Sequence, residues 1–163
     1  MSERWIITMK IQTKWFGEMD IDEDKVITFD RGIIGFDDFK QFTIVYDAQK
    51  DAESSTMWLQ SLDEVSLALP VIKPELLFDH YDPIVEDELI NSLGENIKDA
   101  ELLVLITMTV TQNIKEITCN LKAPIIINID MMKGIQLIAD NDDYMVRYPI
   151  YNILEQKSRK DGD

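Results

Sequence analysis

The chain is poor in the residues that most often carry chemistry or covalent bracing. Its 163 residues include one cysteine, one histidine, six glycines and five prolines. A single cysteine excludes an intramolecular disulfide, so a core must hold the fold, and a reducing compartment fits. Cys119 lies in an alternating apolar row, which predicts a small buried hydrophobe rather than a reactive thiol. Few glycines and prolines, together with an apolar fraction of 45%, exclude a low-complexity chain and favour globular packing. No run approaches the roughly 18 apolar residues of a membrane-spanning helix, the longest being short pieces such as 102–106. The N-terminus lacks a basic stretch followed by an apolar signal core, so the expected location is the cytoplasm, with no membrane contact.

Positive charge is scarce as well. Sixteen Lys and Arg against 31 Asp and Glu give a net charge of −15. That balance opposes direct contact with nucleic acid or anionic membrane and attracts a basic partner, although acidity also serves plain solubility. No G-x-S-x-G elbow, phosphate-binding loop or glycine-rich dinucleotide turn is present. Asp20, Asp22 and Asp24 match the first alternate positions of a calcium loop. Lys25 stands where that loop needs glycine and Arg31 where it needs glutamate, so a solvated acidic hairpin tip is expected instead. His80, between Asp79 and Asp82, is the one residue on which a hydrolase or metal-dependent enzyme could be centred. No second His or Cys supports it, and the expectation is no catalytic residue, no cofactor and no metal.

What the sequence does have is strand periodicity. Segments 9–22 (a hairpin turning at Gly17), 26–29, 42–46, 57–61, 66–72 and 102–112 read as short strands. Residues 47–56 read as a polar loop, and 31–36 as a turn with two glycines. From Ile117 to Ile129 every second residue is apolar, but a single strand of that length would span on the order of 43 Å, too long for a small barrel. Pro124 is therefore expected to mark a corner or bulge that leaves the apolar row in phase, with a turn at Lys133 and Gly134 before a strand over 134–138. Asp82, Pro83 and Gly94 predict a helix over 82–94, with Val85, Leu89 and Leu93 inward and Glu86, Asp87 and Glu88 in solvent as an acidic lid. A short helix near Ile150, Ile153 and Leu154 ends the domain at 154, and 155–163 reads as a frayed charged tail. The expected fold is thus all-β dominated with minor α: one small antiparallel β-barrel or sandwich-like domain with one or two short helices.

Five motifs occur in an order that resembles the flagellar assembly factor family, FliW: "MKIQTKWFGEMDID", "VITFDRGIIGFDDFKQF", "MWLQSLDEVSLALPVIKP", "NLKAPIIIN" and "GIQLIADNDDYMVRYP". The resemblance covers about residues 9–154 and leaves out the first eight, which makes Met9 a candidate start. Asp30 and Ile34 stand where the family pattern has prolines, Cys119 where it has alanine and Tyr148 where it has histidine. The resemblance implies a non-enzymatic cytoplasmic regulator that binds flagellin and, in a competing complex, the RNA-binding translational repressor CsrA.

Two surfaces follow as expectations. The acidic clusters Asp20, Asp22, Asp24 and Glu86, Asp87, Glu88 would repel RNA phosphates from a bound repressor without occupying its RNA site. Flagellin presents disordered apolar segments, for which the candidates are Phe36 and Phe39 of the glycine turn and the outward row Asn120, Lys122, Ile126 and Asn128. Phe36 and Phe42 are at the same time natural core residues, so an exposed remainder of that turn would mark a partner surface. A plain nucleic-acid mimic is the third reading beside regulator and His80 enzyme.

Overall fold

A computed structural model describes residues 6–46, 57–95 and 97–161. The expected loop at 47–56 lies outside them. The strands are β1 (Thr8–Thr13), β2 (Gly17–Asp22), β3 (Ile27–Thr28), β4 (Gln41–Tyr46), β5 (Met57–Ser61) and β6 (Ala68–Ile72). They continue as β7 (Leu102–Thr109), β8 (Thr118–Cys119), β9 (Ile125–Asn128), β10 (Lys133–Gln136) and β11 (Tyr148–Pro149), with helices α1 (Asp87–Asn91) and α2 (Tyr151–Asp161). β9 pairs with both β10 and β7, so β3, β4, β5, β6, β7, β9 and β10 close into a seven-stranded barrel. Every pair in it is antiparallel except the seam between β3 and β10. Closure leaves no edge in the barrel itself. β8 and β11 extend β7 on one side, and β1 with β2 form a separate hairpin.

Period-two alternation fills the barrel. Phe29, Phe42, Leu59, Leu105, Ile125 and Ile127 are fully buried in it, and Phe29 meets Phe42 edge-on at 5.4 Å. Gly134 makes this packing possible, because a Cβ there would lie 2.5 Å from the Phe29 ring. Its role is a close approach within β10, not the turn expected there: the turn falls at 129–132, with Met132 at φ 52.

Two further cores lie outside the barrel. One gathers Leu77, Ile106, Met108, Ile117, Cys119, Leu121 and Ile150 beneath α2. The other sets Ile126, Ile135 and Leu137 under Leu93, Leu89, Ile90 and Val85. The row from Ile117 to Ile129 therefore crosses from one core to another. Cys119 and Leu121 face the core under α2, whereas Ile125 and Ile127 face the barrel interior. Pro124 is buried at the expected corner, but the apolar row does not stay in phase through it, because it leaves the core under α2 and enters the barrel interior; the Pro124 carbonyl accepts from Leu137 N–H at 3.0 Å.

Three expectations are corrected. The helix over 82–94 shrinks to Asp87–Asn91, because the backbone of 82–84 is bonded to the 140–144 loop instead. Asp82 N–H donates to Tyr144 Oη at 2.8 Å, Ile84 N–H to Asn141 Oδ1, and Asp140 N–H to the Ile84 carbonyl at 2.7 Å. The hairpin tip is 14–16, not the acidic run, which lies on β2 and the 3-10 turn Glu23–Lys25 at the open end. Finally, the charged tail continues α2 as far as Asp161, with Ile153 and Leu154 packed on the core and Glu155 paired to Arg159 one turn on.

Candidate partner-binding surfaces

The lid carries its charge on a packed base. Leu93 is 2% exposed, and Leu89, Ile90 and Val85 pack beside it, while Glu86, Asp87 and Glu88 face solvent. Asp87 and Glu88 stand in the first turn of α1, where the exposed backbone N–H groups favour negative charge. Among the described residues none of the three acids is ion-paired. Asp20 is exposed on β2 opposite Lys10, Asp22 is half-buried at the strand end, and Asp24 is exposed in the following turn.

The glycine turn splits its apolar residues between core and surface. Ile33 is buried and Phe39 packs against the barrel core, but Ile34 is 52% and Phe36 39% exposed. The core position expected for Phe36 is thus not taken, whereas that of Phe42 is. Gly35 at φ 90 lets Phe36 N–H return to the Ile33 carbonyl at 2.7 Å, and Ile34 N–H donates to Gln136 Oε1 at 3.0 Å. The turn is pinned from both sides with Ile34 and Phe36 outward.

The row Asn120, Lys122, Ile126 and Asn128 does not form an outward face. Ile126 is buried beneath the lid, and Asn128 is 1% exposed. Asn128 Nδ2 donates to the Leu93 carbonyl at 3.1 Å, while its Oδ1 accepts from Asp130 and Met131 N–H. Asn120 Oδ1 accepts from Lys122 and Ala123 N–H, and Lys122 Nζ donates to the Asn141 carbonyl at 2.8 Å. The carbonyls of Lys122 and Ala123 are likewise taken, by Ala139 N–H and Gln136 Nε2. The interruption at Pro124 is satisfied from within and offers no open ladder.

Trp15, which strand periodicity does not single out, is 58% exposed at the hairpin tip with Lys14 Nζ 5.0 Å from its ring centroid. A tryptophan in a turn was the available signal. Phe16 beside it instead anchors the hairpin, edge-on to Trp58, as does Lys14 N–H on Gln60 Oε1.

His80 is exposed in a loop, and among the described residues no three His, Cys, Asp or Glu side chains converge as a metal site. Burial pushes the Cys119 thiol up to about 12, so almost no thiolate forms near neutrality. The Tyr81 hydroxyl is also raised, first by burial and then by Tyr144 and Cys119, and it donates to the Leu121 carbonyl.

The FliW protein family matches residues 10–150. The chain belongs to the FliW family. A flagellar assembly factor FliW from Lachnospira eligens is 59% identical over 149 residues, covering 91% of this chain and 99% of its own. One from Lachnoclostridium phytofermentans is 47% identical over 156 residues, covering 95% and 99%. A crystal structure of a flagellar assembly factor FliW superposes with a TM-score of 0.75 at 30% identity, covering 87% of this chain and 96% of that one. Membership in FliW gives this chain a role in flagellum assembly. The turn that lacks prolines at Asp30 and Ile34 is closed by Gly32 N–H on the Phe29 carbonyl and by Gln136, and Tyr148 lies edge-on to Phe78.

Proposed function

We propose that this FliW-family chain is a cytoplasmic, non-enzymatic regulator that binds flagellin and, in a competing complex, a CsrA-type translational repressor. The observation that carries the reading is the lid: three carboxylates, Glu86, Asp87 and Glu88, without an ion partner among the described residues and held outward on an apolar base. RNA binding by a basic repressor depends on phosphate contacts and counterion release. Fixed negative charge beside that surface weakens RNA binding within a Debye length of about 8 Å, without filling the RNA site. Asp20 and Asp24, both exposed, and the half-buried Asp22 form the second acidic cluster of this proposal. For flagellin, the supporting feature is the pinned turn with Ile34 and Phe36 outward.

Two measurements test this. Flagellin and the repressor should be recovered on the chain in mutually exclusive complexes, and recovery of neither would end the proposal. Glu86→Gln, Asp87→Gln and Glu88→Gln together should leave repressor affinity nearly intact while reducing release of RNA, most clearly at low salt. Full RNA release by that variant at unchanged affinity would show that the lid charge is not the agent. Phe36→Asp should weaken flagellin capture in a folded protein, whereas Phe39→Asp should unfold the barrel.

A further inference from the structure

A small cleft beside the lid gathers positive charge in a chain whose net charge is −15. It has a volume of about 80 Å³ and is lined chiefly by Asp30, Arg31, Ser92, Leu93, Lys133 and Gly134. Three separately anchored pieces of chain meet there. Phe29 lies against Gly134 where no side chain intervenes, which brings the turn that follows it onto the start of β10. That turn is closed by Gly32 N–H on the Phe29 carbonyl at 2.9 Å, with Gly32 at φ 68, so Arg31 is carried on a fixed backbone. Lys133 is set in register between Thr28 and Asn128, and Leu93 is fastened by Asn128 Nδ2.

Neither Arg31 nor Lys133 is ion-paired among the described residues. Asp30 shares the cleft without closing a salt bridge to either. The Ser92 hydroxyl is engaged with the Leu89 carbonyl, which leaves the two cations as the charged donors of the cleft.

We propose that this cleft binds a single carboxylate group presented by a peptide, with Arg31 and Lys133 as its partners and Asp30 as an internal competitor. The planar fork of an arginine matches a carboxylate, and a neighbouring ammonium adds a second charge-assisted contact. The volume admits a carboxylate and a few further atoms but not a nucleotide. The acidic field of the whole chain disfavours a free multiply charged anion most, and a monoanionic group tethered to a peptide least. This inference does not depend on flagellin or a repressor being the partner.

The test is an NMR titration of the full chain with N-acetyl-alanyl-alanine, its C-terminal amide, and inorganic phosphate. The free carboxylate should shift the backbone amides of Leu93, Lys133 and Gly134 along a saturable curve, and the amide peptide should not. Combining Arg31→Gln with Lys133→Gln should weaken that binding about tenfold or more, as expected for loss of charged hydrogen bonds. Asp30→Asn should tighten it. Spectra of the variants away from the cleft report on their folding. The proposal falls if acid and amide peptides act alike, if phosphate binds at least as tightly as the carboxylate, or if the double variant binds unchanged.

Discussion

The two faces of β9 lie in different kinds of core. Ile125 and Ile127 point into a barrel closed by main-chain ladders on every side, and both are fully buried there. Ile126 and Asn128 point the other way, under a lid whose one regular element is the five-residue α1, with no side-chain N-cap. Burial is nearly equal on the two faces, so exposure alone would not tell them apart. What differs is how the covering atoms are held: a closed sheet can give only by breaking ladders, whereas the lid is fastened by a few side-chain to backbone bonds. The interior face maintains the fold, and the lid face positions the acidic surface.

Substitutions along this one strand test that contrast. The largest effect is expected for Ile127→Ala, which leaves a hole that the closed ladder cannot collapse around. About 4 kcal/mol of global stability should be lost, read from the urea midpoint at unchanged m-value. Ile126→Ala removes the same atoms but lets the lid settle, so about 2 kcal/mol is expected. Equal losses at the two positions would break the comparison.

Asn128→Ala should cost about 1–3 kcal/mol by orphaning the Leu93 carbonyl and the N–H groups of Asp130 and Met131. Its mark should be faster amide exchange over the lid, with the barrel strands protected as before. Uniformly faster exchange would show that lid and barrel open as one unit. The smallest effect on stability belongs to Glu86, Asp87 and Glu88: changing all three to glutamine should shift the melting free energy by only about 0.5 kcal/mol. A large loss would mean that these acids support the fold rather than its surface.

Strands were the most legible part of the chain because side chains on a half-buried sheet alternate whatever covers them. β5 falls on 57–61 as predicted, and Val85, Leu89 and Leu93 do face inward. Where the sequence misleads, long-range partners have taken groups that local signals assigned elsewhere. Asp82 and Pro83 have the chemistry of a helix start, yet Asn141 and Tyr144 supply the bonds that a first turn would have made. Residues 155–161 look like a solvated tail by charge, but Ile153 and Leu154 dock the preceding turn on a core assembled from residues 77–150 and so extend the helix. Ile126 and Asn128 looked available to a partner because alternation says that two faces exist, not that one of them is bare.

The sequence by itself determined the strand content, the inward side of the lid, the corner at Pro124 and the order of motifs that marks the FliW family. These are local periodicities, single-residue constraints and sequence order, and they need no knowledge of what lies across the sheet. Only the tertiary structure decided that the row through Pro124 serves two cores, that Phe36 faces out, and that Arg31 and Lys133 line one cleft. Each of those depends on contacts between residues far apart in the chain, closed by β9 pairing on both sides and by an aromatic ring lying against Gly134.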